Sequence, residues 1–306
     1  MQLTPGRYRT ITAVALGLLV AIVITGAAVR LTGSGLGCDD WPNCSDTRLI
    51  DVSSTHAAIE QVNRLFTGLV SVAVIAAVLG SLWRRPRRAD LVVLSVGLVV
   101  GVLAQIVLGG ILVLFDLHPI LVQGHMVLSL VLVGTAVVLH HRAGQPDGAA
   151  TRPATSPAAT RLVWAVGGAT SLAILAGTVV TGAGPHAGDE DVERLGVEIA
   201  SAARLHGILV MAALSIAVAL AAVVSRRPSD RAPLIGPISS WIFVGALQAA
   251  IGYIQYFSDV PALLVGLHVA GATLLWAMTV RLLLATHRSV AADRSDVDDL
   301  PVAAVI

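Results

Sequence analysis

The segment LVVLSVGLVVGVLAQIVLGGILVL (residues 91–114) determines the fold class, because it contains no charged side chain. A run of about 20 apolar residues crosses the hydrocarbon core of a membrane as a helix, which satisfies its own backbone hydrogen bonds. Similar runs recur along the whole chain. They predict eight spans, at residues 11–29, 60–82, 91–114, 119–140, 162–182, 203–224, 234–256 and 262–285.

The composition supports the same class. Of the 306 residues, 56% are hydrophobic and only 13% are charged, whereas soluble domains have about 25% charged residues. The formal net charge is +1, and no nucleic-acid, phosphate-loop, hydrolase or zinc motif is present, so no nucleic-acid partner is expected. We predict an all-α polytopic membrane protein whose first apolar run is a retained span and not a signal peptide.

The arginines predict the orientation in the membrane. Fifteen of the 20 basic residues, all of them Arg, fall in the N-terminal segment, the loops after spans 2, 4 and 6, and the C-terminal segment. Because cytoplasmic loops carry an excess of basic residues, both termini are expected on the cytoplasmic side of a plasma membrane.

The chain contains an internal repeat. A shift of 143 residues superposes the strings LAQIVLGGI and ALQAAIGYI, which begin at residues 103 and 246, and also superposes His125 on His268. We predict two pseudo-symmetric four-helix bundles with the same orientation. The predicted divisions are a first bundle at 1–143, a flexible cytoplasmic linker at 144–160, a second bundle at 161–288 and a polar tail at 289–306.

Histidines at matching depths are the candidate metal ligands. His206 and His268 lie in the outer third of spans 6 and 8, and two imidazoles that face each other across a bundle are typical of six-coordinate haem. Alternatively, each is a buried histidine bonded to a neighbouring helix. In the first half, His125 corresponds to His268, but Asn63 corresponds to His206, and a neutral amide is a poor iron ligand. This asymmetry suggests one permanently held haem and one exchangeable site.

The first outer loop and the start of span 2 hold the remaining candidates. Glu60 lies one turn before Asn63 and is either an acid–base group or an acid that favours the helix dipole. Arg64 is either a partner for haem propionates or an interfacial anchor. Cys38 and Cys44 form either a structural clip or a redox-active pair in an oxidising compartment.

Five parts of the sequence together resemble the haem A synthase family. They are VRLTGSGLGCDDWPNC (29–44), the group Glu60–Arg64, LVQGHMVLS (121–129), TGAGPHAGD (181–189), and the pair His206 and His268. The resemblance implies conversion of haem O to haem A for cytochrome c oxidase, by successive hydroxylations of a porphyrin methyl group to a formyl group. It also implies a fold of two pseudo-symmetric four-helix bundles.

The same resemblance implies roles for individual residues. His206 and His268 would hold a resident haem b, and His125 would bind the iron of haem O. Glu60 matches an essential glutamate, and Cys38 and Cys44 match a cysteine pair linked to activity. Asn63 departs from the family, in which many members have histidine.

The resemblance and the charge pattern also bear on partners. Haem O synthase is the expected donor and lipid surrounds the spans, while association into a homo-oligomer is left open. Two alternative functions remain at this point: a membrane di-haem electron carrier resembling a cytochrome b quinone oxidoreductase, and a haem carrier without chemistry.

Overall fold

Eight long helices make up most of the structure, a computed structural model that describes residues 2–290. Each of the eight is long and apolar enough to cross a membrane, which confirms the predicted class and number of spans. Their bounds are Pro5–Leu31 (α1), Thr55–Trp83 (α2), Ala89–Leu114 (α3), Pro119–Ala143 (α4), Pro157–Ala183 (α5), Ile199–Ser225 (α6), Pro228–Phe257 (α7) and Ala262–Leu284 (α8).

Several helices begin earlier than their apolar runs, because capped polar turns precede the hydrophobic part. The hydroxyls of Thr4, Ser54 and Ser156 accept hydrogen bonds from backbone N–H groups in the first turns of α1, α2 and α5. Pro5 and Pro157 occupy first positions, where a missing N–H costs nothing. Hydropathy predicts the membrane-spanning part of each helix, so the predicted spans do not include these polar first turns.

The helix contacts fall into two sets. Helix α1 packs against α2 and α4, and α3 packs against the same two helices; α5 and α7 each pack against α6 and α8. The first set surrounds a core that includes Leu98 and Leu132, and the second surrounds one that includes Leu220 and Trp241. The pseudo-symmetric two-bundle arrangement stays a prediction.

The two sets of helices also contact each other. Helix α8 packs against α1 and α4, and α5 packs against α4. Trp276 on α8 donates a hydrogen bond from Nε1 to the Leu130 carbonyl oxygen on α4, at 2.7 Å. In the loops that follow α1 and α5, the Gly35 N–H donates to the Gly188 carbonyl oxygen at 2.9 Å. Hydrogen bonds therefore join the two sets of helices both between helices and between loops.

The segment 144–160 differs from the prediction of a flexible linker without regular structure. Residues Ala150–Pro153 form strand β1, which pairs antiparallel with strand β2, His287–Val290, and α5 already begins at Pro157. The sequence did not indicate this strand, because strand pairing depends on a distant partner, which local composition does not reveal. Of the predicted tail 289–306, residues 289 and 290 belong to β2, and the rest lie outside the described residues.

Candidate functional site

The two second-half histidines face each other. His206 on α6 and His268 on α8 have ring centroids 6.2 Å apart and ring planes at 81°. Two imidazoles bonded to one metal ion from opposite sides, with metal–nitrogen distances of about 2 Å, also have centroids about 6 Å apart. The observed separation therefore fits a metal ion between the rings.

The tautomer of His206 leaves its Nε2 atom free to bind a metal ion. Its Nδ1 lies 2.8 Å from the Ala173 carbonyl oxygen on α5. A carbonyl can only accept, so Nδ1 carries the proton and Nε2 keeps its lone pair for a ligand bond. Within residues 2–290, the buried Nδ1 atom of His268 has no hydrogen-bond partner of normal geometry.

A glycine on a neighbouring helix lies against each of the three candidate histidines. A Cβ atom at Gly177 on α5 would lie 3.1 Å from Cε1 of His206, and one at Gly252 on α7 would lie 3.2 Å from Cε1 of His268. In the first half, a Cβ at Gly109 on α3 would lie 3.5 Å from the His125 ring. The repeat pairs Gly109 with Gly252, but sequence reasoning did not assign them this role. The available signal was that Gly109 precedes His125 by the same number of residues as Gly252 precedes His268.

Gln105 holds the backbone of His125 in place. Gln105 on α3 donates from Nε2 to the His125 carbonyl oxygen at 3.1 Å and also hydrogen-bonds the Ser129 hydroxyl. Among the described residues, the buried His125 Nδ1 atom has no hydrogen-bond partner. Gln105 therefore fixes this turn of α4, while the imidazole keeps its hydrogen-bonding capacity.

The Asn63 side-chain amide keeps its hydrogen-bond donors free. The Thr25 hydroxyl on α1 donates to the Asn63 side-chain oxygen at 2.9 Å, which leaves the Asn63 amide nitrogen with its two donor hydrogens. Asn63 also lines a cavity of about 610 Å³ between α1 and α2. Within residues 2–290, no hydrogen bond joins Asn63 to His125 or to Glu60.

Glu60 and Arg64 connect α2 to the first outer loop. Glu60 is 5% exposed, and its Oε2 accepts from the Cys38 N–H at 2.8 Å. Its Oε1 accepts from Arg64 Nε at 2.9 Å and from Nη2 at 2.6 Å. Arg64 also donates to the carbonyl oxygens of Asn43 and Asp40. The ion pair therefore holds both ends of the loop segment between the cysteines.

Cys38 and Cys44 form a disulfide, and both are buried, at 0% and 2% exposed. The loop around them packs closely on the helices. A Cβ at Gly37 would overlap the backbone at the start of α2, and one at Gly110 on α3 would overlap the Trp41 ring. This loop is therefore a folded cap over the start of α2 and the end of α3.

The other outer histidines make loop contacts. His186 Nε2 lies 2.8 Å from the Val260 carbonyl oxygen, and His118 Nε2 lies 3.9 Å from a Glu193 carboxylate oxygen. In the part of the chain that the structure describes, no group of three or more His, Cys, Asp or Glu side chains is arranged to hold a metal ion. A metal at the paired histidines would therefore bring its remaining ligands with it, as a porphyrin does.

The fold and this site define a multi-pass helical membrane protein with paired histidines inside one set of helices and a disulfide-bonded cap over the other. The chain belongs to the COX15-CtaA family, described as Cytochrome oxidase assembly protein, whose family model matches residues 9–188.

Individual relatives are similar over shorter segments. The Heme A synthase of Bacillus pumilus is 30% identical over 126 residues, which are 40% of this chain and 40% of that protein. The Heme A synthase of Geobacillus kaustophilus is 31% identical over 106 residues, 34% of this chain and 32% of that protein. The Protoheme IX farnesyltransferase of Chloroflexus aurantiacus is 29% identical over 181 residues, 56% of this chain and 30% of that protein. Each match therefore spans less than half of the relative.

Proposed function

We propose that this protein is a haem A synthase, an oxidoreductase that converts a methyl group of haem O to a formyl group and so supplies haem A to cytochrome c oxidase. Its family and the relatives named Heme A synthase support this function. The observation that carries it is the asymmetry between the halves. One half has two facing imidazoles, and the other has His125 with a donor amide at the position equivalent to His206.

The second-half residues fit haem b as the resident cofactor. His206 and His268 would hold its iron, and the Ala173 carbonyl oxygen orients the first of them. Gly177 and Gly252 leave room for the two rings. Bound there, haem b supplies one-electron redox chemistry.

The first-half site receives haem O as substrate, with His125 as its iron ligand. The Asn63 side-chain oxygen already accepts from the Thr25 hydroxyl, and a neutral amide is a poor iron ligand, so Asn63 does not compete as a second strong ligand. A substrate with one protein ligand can be exchanged, as an enzyme that releases haem A requires. Thr25 is therefore a positioning residue for Asn63.

Glu60 is the acid–base group in this proposal. An ionised carboxylate offers about four acceptor sites, and Cys38 and Arg64 fill three of them. The remaining site could accept a proton from a water or hydroxyl near the substrate. Two hydrogen bonds from Arg64 attach the carboxylate to the loop. The burial of both cysteines favours a structural disulfide, since thiol–disulfide exchange needs access for an attacking thiolate.

The proposal includes the two-bundle arrangement at 1–143 and 161–288. It also places both termini in the cytoplasm, which the arginine distribution supports. Leu3 donates to the Trp83 carbonyl oxygen, and β1 pairs with β2, so these segments share one face. Haem O synthase as the donor stays a prediction. Homo-oligomer formation stays a prediction.

The main alternative is a di-haem electron carrier, with a haem carrier as a third possibility. A di-haem carrier needs two permanently bound haems and therefore two strong ligands in each half. The Thr25–Asn63 hydrogen bond argues against a second strong ligand in the first half. A haem carrier needs neither the buried Glu60–Arg64 pair nor the cap that this pair holds in place.

Single histidine substitutions test whether the second half holds the resident haem and the first half binds the substrate haem. His206→Ala is expected to remove the resident haem from the purified protein, measured by its absorbance spectrum. His125→Ala is expected to keep that haem and to abolish haem A formation in cells that make haem O. His186→Ala, which changes an outer-loop contact, is the matched control. Loss of the resident haem in His125→Ala, with retention in His206→Ala, would contradict the assignment.

A further inference from the structure

The groove between α1 and α2 is a distinct feature of the first half. Its volume is about 610 Å³, and its walls come from α1, α2 and residues 52–55. The walls are mostly apolar, with Ala28, Ile59, Val62 and Phe66 among them. Val62 is 63% exposed. The groove lies at the N-terminal end of α2, next to the loop that precedes this helix.

One polar pair interrupts the apolar walls. Thr25 and Asn63 both line the groove and are hydrogen-bonded to each other. Asn63 also belongs to the proposed substrate site, so the groove and that site share this residue. A ligand that fits both the substrate site and the groove has a ring in the substrate site and a polar group next to the Thr25–Asn63 pair. Its hydrocarbon chain lies along the apolar part of the groove.

We propose that this groove holds the hydroxyethylfarnesyl chain of the substrate haem, and that it distinguishes haem O from haems without this chain. The inference rests on the proposed function. The chain begins with one hydroxyl next to the porphyrin, which matches the Thr25–Asn63 pair, and continues as an isoprenoid hydrocarbon. The hydroxyl binds beside Asn63, and the isoprenoid part lies along Ala28 and Val62.

The volume is sufficient for this occupant. Taking roughly 30 Å³ per heavy-atom group, as for a water molecule, a farnesyl chain of about fifteen carbons needs about 450 Å³. The groove provides about 610 Å³. A phospholipid acyl chain would also fit by volume, but it has no hydroxyl at the depth of Asn63.

A matched pair of substitutions on α2 tests the proposal. Val62→Trp fills the groove, whereas Val72→Trp adds the same side chain at a position that is 64% exposed and does not line the groove. Each purified full-length protein, with its resident haem, is placed in lipid nanodiscs. It is then titrated by absorbance with haem O and, separately, with haem B, which has the same iron porphyrin without the farnesyl chain.

For Val62→Trp, the affinity for haem O is expected to fall about tenfold or more, as overpacking of a filled site typically gives, while the affinity for haem B stays unchanged. Val72→Trp is expected to match the wild type with both haems. An unchanged preference for haem O in Val62→Trp would assign the groove to lipid and overturn the proposal. An equal loss of both haems would also overturn it, because the groove would then belong to the ring site. Failure of the wild type to bind any added haem would instead contradict the proposed function.

Discussion

Replacing Glu60 by Gln tests whether the Glu60–Arg64 pair holds the disulfide-bonded cap. Gln keeps the size of the side chain but loses the charge that Arg64 faces at 2.6 Å. Gln has only one acceptor oxygen, so either Cys38 or Arg64 would face an amide N–H. The cap is therefore expected to open more often in this variant.

The magnitude follows from the burial of the pair. Removing one partner of a buried ion pair costs about 3–5 kcal/mol. Here the Arg64 side chain is 20% exposed and keeps its hydrogen bonds to the Asn43 and Asp40 carbonyl oxygens. We therefore expect a smaller cost, about 2 kcal/mol, which corresponds to a roughly 30-fold increase in the population of the open cap.

The assay is the rate at which a mild reductant opens the Cys38–Cys44 disulfide, followed by alkylation and mass measurement. Reduction through local opening is expected to be about 30-fold faster in Glu60→Gln. Arg48→Gln is the control, because it removes the exposed Arg48–Asp51 pair from the same loop and should change the rate by at most about fivefold. A wild-type reduction rate in Glu60→Gln would refute the reasoning.

Three further substitutions test the site and the contact between the halves. Asn63→His supplies a second imidazole opposite His125, so the purified protein should carry about two tightly held haems per chain by pyridine haemochrome assay; a content unchanged from wild type would contradict the first-half site. Gly252→Val pushes against the His268 ring and should reduce resident haem content without preventing membrane insertion; full haem content would count against the close contact. Trp276→Phe removes one hydrogen bond between halves, worth about 1 kcal/mol, and should lower Tm by about 2 °C; an unchanged Tm would show that this bond adds nothing.

The eight spans were predictable because lipid imposes a simple rule: each span needs about 20 apolar residues and must satisfy its own backbone. The capped turns before α1 and α5 were not part of the predicted spans, since Thr4 and Ser156 are polar. Strand β1 was also missed, because its partner at His287–Val290 is remote in sequence.

The repeat identified candidate ligands from the sequence, and the structure shows two of them, His206 and His268, facing each other. The orientation of individual side chains could not be predicted from the sequence. Whether Asn63 presents an oxygen or a nitrogen depends on Thr25, on a different helix. Likewise, only folding brings the Cys38 N–H to the Glu60 carboxylate, since the loop returns onto the helix that follows it.

The disulfide illustrates the same limit. The spacing of Cys38 and Cys44 left a structural and a redox reading open. In the structure, both cysteines are buried within their loop, which the Glu60–Arg64 pair holds against α2. Burial depends on how the whole loop packs, and the spacing of two residues does not contain that information.

The central claim is that this protein oxidises haem O, and mass analysis of extracted haems tests it most directly. Membranes would be taken from cells that make haem O, with and without this chain, and their haems identified by liquid chromatography and mass spectrometry. The account predicts that haem A, or a hydroxylated haem O, appears only when the chain is present, together with haem B bound to the purified protein. Unmodified haem O, with haem B alone at about two copies per chain, would contradict the account and favour an electron carrier.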